Sequence, residues 1–173
     1  MILYVTGHNH ILAPKAASDF EYAEQDTQIA YKQTHVHPAN KPYTYAHRLS
    51  QILKARLFLD AMFYQSDAES VNKFLNFVLI DQPEQYVAIL ALARPSKETS
   101  EQLNTSLRSY NRPDPIFIYY YELQSQFNPT WAMPHLIMPT TETIFKTYTD
   151  ELTMSDAHMA WTKILLKRLT ATE

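Results

Sequence analysis

Between Ala55 and Leu123, apolar runs alternate with capped amphipathic segments, an order that predicts strand, helix, strand, helix, strand around a parallel sheet. The run from Arg56 to Phe63 reads as the first of these strands. Ser66 with Glu69 three residues on is a capping-box signal, and Val71, Phe74, Leu75, Val78 and Leu79 recur at steps of three and four, which predicts a helix with all five on a buried face. Pro83 ends that pattern. Tyr86 to Ala93 is an unbroken apolar run, as a strand covered on both faces requires. Pro95 and Ser96 open a second helix carrying Leu103, Leu107 and Tyr110 inward, the turn from Asn111 to Pro115 closes it, and Ile116 to Tyr121 is the third strand.

The flanks are less regular. Met1 to Thr6 suggests a strand, placed at an edge of the sheet and ended by Gly7. Ala16 to Ala23 suggests a short helix and Gln28 to Gln33 a short strand, and a turn at Pro38, Asn40 and Pro42 precedes a helix carrying Tyr45, Leu49, Ile52 and Leu53. Leu49, Ile52, Leu53, Leu57 and Ala61 also fit one longer helix. The strand is favoured because Leu57, Phe58, Leu59, Met62 and Phe63 cover too much of a helix circumference for a surface helix. Trp131 to Met138, broken by Pro134, suits an edge strand or extended segment. Thr140 and Thr141 precede a helix with Ile144, Phe145, Tyr148 and Leu152. Ser155 is placed as the cap of a last helix whose inward stripe is Trp161, Ile164, Leu165 and Leu169. The expected architecture is a single α/β domain over residues 43–173, with a small, mainly parallel sheet flanked by helices. Residues 1–42 form an N-terminal strand and an irregular extension, packed on that domain or ordered by a partner.

The 173 residues, 46% of them hydrophobic, suffice for one full core. Fifteen Lys and Arg against 18 Asp and Glu leave a net charge of −3, which provides no field for gathering phosphate backbones, so direct nucleic-acid binding is not expected. Lys163, Lys167 and Arg168 on the last helix are explained by the helix dipole. The absence of cysteine excludes disulfides, thiolate metal sites and cysteine nucleophiles. With no secretory signal pattern and no membrane-length apolar run, the expected setting is the cytoplasm. The single glycine, Gly7, rules out both the GxGxxG fingerprint and the P-loop, so the α/β pattern is no argument for a nucleotide enzyme, and no cofactor is expected.

Three sets of residues carry candidate chemistry. His8 and His10, then His35 and His37, are spaced so that each pair shares one side of a strand and can converge on a metal. The His35–Val36–His37 triplet has the His-hydrophobic-His form of rolling-circle endonucleases, although no tyrosine stands in the Tyr-x-x-Lys or Tyr-x-x-x-Lys arrangement that accompanies it. The plainer reading is a pair of solvated histidines beside Pro38. Asp60, inside an apolar run, and Glu122, at a strand end, form a candidate carboxylate pair where α/β sheets place ligands, against the plain alternative of an exposed strand end. The aromatic residues point instead to a partner surface: Tyr119, Tyr121, Trp131 and Trp161 are the candidate interface residues, because such rings supply contact area with a polar tip. Burial under neighbouring helices is the competing explanation.

From about Ala55 onward the chain resembles the psi subunit of the bacterial DNA polymerase III holoenzyme. The likeness rests on the Ala55 to Ala61 strand, the Phe74–Leu75 helix, the Pro83 to Val87 stretch, and a helix with Ile144 and Phe145 leading into Ala160, Trp161 and Ile164. It implies a non-catalytic adaptor that pairs with the chi subunit, ties it to the clamp loader in a hetero-oligomer, and meets DNA only through partners. The N-terminal Leu-Gly-Ile and nearby Trp with which psi proteins dock on the clamp loader have no counterpart between Met1 and Asn40. Two other readings compete: a metal-dependent nucleic-acid enzyme or degenerate rolling-circle replication protein using His35 and His37, and a mobile-element inhibitor or immunity protein.

Overall fold

The computed structural model describes residues 1–7, 44–60, 65–92, 96–120 and 154–171. In chain order these form β1 (Ile2–Gly7), α1 (Tyr45–Ile52), β2 (Arg56–Leu59), α2 (Asp67–Val78), β3 (Tyr86–Leu92), α3 (Lys97–Leu107), β4 (Ile116–Tyr120) and α4 (Met154–Thr170). The four strands make one parallel sheet in the order β2-β1-β3-β4. The expected α/β architecture is present.

Side-chain alternation divides the interior into two layers. Leu3, Val5, Val87, Ile89, Ala91, Phe117 and Tyr119 face α1 and α4, meeting Tyr45, Ala46, Leu49, Trp161 and Leu165. Ile2, Tyr4, Tyr86, Ala88, Leu90, Leu92, Ile116 and Ile118 face α2 and α3, meeting Val71, Phe74, Leu75, Val78, Leu103 and Leu107. A sheet buried on both faces needs apolar residues at every position, which is why β1 and β3 read as unbroken runs.

β1 corrects one expectation. It is not an edge but lies between β2 and β3, pairing Ile2 with Arg56 and Tyr86 and Val5 with Leu59 and Ile89. At its end, Gly7 has φ +146, a conformation side chains rarely adopt, and a Cβ there would overlap the carbonyl oxygen of Ala91 on β3. The sole glycine serves the close approach of two strands.

The choice between one long helix and helix-then-strand is decided at Lys54. This residue takes φ 51, its N–H donates to the carbonyl of Gln51 (3.3 Å), and the Ala55 N–H donates to that of Ser50 (2.9 Å). That is a Schellman closure of α1 with lysine in the position glycine usually holds. β2 then runs only from Arg56 to Leu59, so Asp60 lies just past the strand rather than within it.

Serines start two of the helices as expected. Ser66 Oγ accepts from the Glu69 N–H and Ser96 Oγ from the Thr99 N–H, with Asp67 and Glu69, and Glu98, in the respective first turns. Ser155, expected as the cap of α4, falls within the described helix Met154–Thr170. Leu79 and Ile52 are also corrected: both are exposed, because each falls where its helix has ended or is ending and the apolar stripe has turned off the core. The expected elements at 16–23, 28–33, 131–138 and 140–152 lie outside the described residues.

Candidate functional site

In parallel α/β sheets, ligands meet the carboxyl ends of the strands where the connections diverge, here between β1 and β3. Beside that point the structure builds a polar cluster from β1, the segment after β2, and α2. Thr6, Gln65 and Ser70 are its buried members. The Gln65 amide nitrogen reaches Ser70 Oγ (2.8 Å), Thr6 Oγ1 (3.1 Å) and the Gly7 carbonyl (3.4 Å), while Gln65 Oε1 accepts from Lys73 Nζ at 2.7 Å. The two hydroxyls pass their own protons to backbone carbonyls, Thr6 to Asp60 (2.6 Å) and Ser70 to Ser66 (2.9 Å).

Asp60, one of the two candidate carboxylates, belongs to this cluster. Lys73 Nζ lies 3.3 Å from Oδ1 and the Tyr4 hydroxyl 2.8 Å from Oδ2. Burial first, and then the charge of Asp60, hold the Tyr4 hydroxyl far above the usual tyrosine range, so it stays a donor to the carboxylate. Tyr4 is also stacked on Phe77 of α2, with centroids 4.0 Å apart, and lies 5.8 Å from Phe58 of β2. The result is a closed circuit: lysine neutralises aspartate, glutamine spans both hydroxyls, and the chain between β2 and α2 is fastened to the end of β1. Each of these side chains has a partner within the cluster. Glu122, the other half of the suggested pair, lies outside the described residues.

A second polar cluster lies at the amino ends of β3 and β4, where the sequence predicts only a turn. Asp114 is buried; its Oδ1 accepts from the Tyr86 N–H at 2.9 Å and its Oδ2 from Arg112 Nε at 2.8 Å. Arg112 continues to the Gln82 carbonyl (2.6 Å) and lies 4.9 Å over the Tyr86 ring. The hydrogen bond from Arg112 to Asp114 strengthens the hold of the guanidinium on its proton. The Tyr110 hydroxyl donates to the Asp114 carbonyl (2.6 Å) and receives that of Tyr86 (3.2 Å). This cluster joins two strands at the end opposite to ligand-binding edges. The only sequence signal is a pair of charges around Pro113, with Arg112 before it and Asp114 between it and Pro115.

Of the four candidate interface residues, Tyr121 and Trp131 lie outside the described residues, and Tyr119 and Trp161 are fully buried. The two latter rings sit 5.8 Å apart in the layer under α1 and α4, and Tyr119 donates its hydroxyl to that of Tyr45 at 3.0 Å. Burial pushes the Tyr119 hydroxyl well above the usual tyrosine range. The expectation of a partner surface at these two residues is corrected to core packing, because α1 and α4 cover the face on which both rings lie. His8, His10, His35 and His37 are outside the described residues. Among the described residues, no group of three or more His, Asp or Glu side chains could hold a metal. No described helix is long and apolar enough to cross a membrane.

The fold class is a three-layer α/β protein with a four-stranded parallel sheet. Comparison with protein-family models, curated proteins and solved structures gives no match.

Proposed function

We propose that the chain is a non-catalytic protein–protein adaptor of the psi kind, pairing with a chi-like subunit and linking it to a clamp loader in a cytoplasmic hetero-oligomer. The observation that carries this reading is an exposed aromatic ring on an edge strand of the described sheet. Recognition then falls to the surface. Phe58 is the exposed end of the aromatic row it forms with Tyr4 and Phe77, with 56% of its surface open, on the strand that forms one edge of the described sheet. In this reading it is a contact for the partner, and DNA is reached only through partners.

Size-exclusion chromatography with light scattering on the purified chain mixed with a chi-type subunit tests the pairing. A stoichiometric complex weakened at least tenfold by Phe58→Ser is the expected result. Two purified proteins that elute separately at micromolar concentration would remove the reading.

A further inference from the structure

The last helix is fastened to the first by an imidazole. Tyr45 opens α1, and its backbone N–H is one of the amides at a helix start that have no partner inside the helix. It donates to Nδ1 of His158, 2.9 Å away on α4 and 113 positions along the chain. A ring nitrogen that accepts carries no hydrogen, so this imidazole is neutral with its proton on Nε2. The ring is fully buried, stacked at 5.3 Å on Tyr45 and edge-on at 4.9 Å to Trp161.

Among the described residues, the titratable groups of this layer are the hydroxyls of Tyr45 on α1 and Tyr119 on β4. Burial raises both above the usual tyrosine range, so neither changes charge in mild acid. His47 and Arg48 of α1 are half-buried, and His47 Nδ1 lies 2.8 Å from Thr44 Oγ1. Lys163, Lys167 and Arg168 of α4 are exposed.

We propose that His158 makes the docking of α4 on α1 an acid-released latch. Protonation at Nδ1 sets one N–H against another and leaves the buried Tyr45 amide without its acceptor. The undocked ring takes up a proton that the docked ring refuses. Acid therefore favours release, starting near the ordinary histidine value of about 6.5, and the docked-to-open ratio falls by up to about tenfold per pH unit below it. Release uncovers Trp161 and Leu165 on α4 and Tyr45 and Leu49 on α1.

Amide exchange on the full chain, expressed as protection factors between pH 7.5 and 5, tests the latch. The Tyr45 amide and α4 are expected to lose up to about tenfold protection per unit below pH 6.5, while α2 and α3 hold theirs. His158→Asn supplies an acceptor that does not titrate, and its profile is expected to be flat. Equal pH profiles in the two proteins, or a flat one in the native chain, overturn the proposal. Imidazole nitrogen shifts of the native chain at pH 7.5 need no variant: a bare Nδ1 and protonated Nε2 are expected, and the opposite tautomer or an imidazolium refutes it even if His158→Asn does not fold.

Discussion

The two faces of the sheet are covered by different means. α2 and α3 are the crossover helices of consecutive strand–helix–strand units, each begun by a serine cap with acidic residues in the first turn, and they cover the face lined by Tyr4, Tyr86 and Leu90. α1 and α4 are far apart in the chain and cover the other face through a cluster of rings: Tyr45, Tyr119, His158 and Trp161. The first face is assembled from neighbours, whose loop closure is short; the second needs α4 to return across most of the chain before any contact rewards it. Local signals suffice on one side. On the other, the hydrogen bonds of Tyr45 to His158 and Tyr119 hold the arrangement.

Trp161→Ala and Phe74→Ala, one for each face, should have the largest effects, about 4 kcal/mol each, since both remove a fully buried ring. The comparison is sharpened by hydrogen exchange alongside chemical denaturation: the Trp161 variant should lose protection in α4 ahead of the rest, and the Phe74 variant should lose it everywhere together. Identical exchange patterns would erase the distinction between the faces. Gly7→Ala is next, at about 3 kcal/mol, because the new methyl enters the backbone of β3 in a conformation side chains avoid; a thermal midpoint that does not fall would show the strands can part there. Ser66→Ala and Ser96→Ala should cost about 1 kcal/mol each in urea denaturation, confined to the locally built face. The smallest effect has the opposite sign. Lys54→Gly is expected to stabilise the chain by about 0.5 kcal/mol by relieving the positive φ that closes α1, and a loss of stability would mean the Lys54 side chain contributes more than its backbone costs.

The candidate site was legible in part. Asp60 stood out because a carboxylate interrupts an apolar run, and the structure does place it in a polar cluster. Its partners were hidden: Tyr4 is 56 positions away, and Lys73 lies on the flank of a helix whose period marks only its apolar face. Asp114 and Arg112 looked like ordinary turn residues, because a buried carboxylate is recognisable only once the backbone N–H it accepts from has been positioned by another strand. Tyr119 and Trp161 were misassigned to the surface for a related reason. An aromatic ring has the same composition signal in a core and in an interface.

What the chain determined by itself is its set of elements: short unbroken apolar runs for strands, and 3.6-residue stripes and serine caps for α2 and α3. These depend on backbone preference and on burial within a dozen residues, and both are written locally. Tertiary structure alone decided that β1 sits at the centre, that Leu3 and Val5 look toward one pair of helices while Ile2 and Tyr4 look toward the other, and that a histidine near the end caps a helix near the beginning. Strand order and cross-chain hydrogen bonds join residues whose spacing carries no period, so they come into existence only when the sheet closes and brings them within 3 Å of one another.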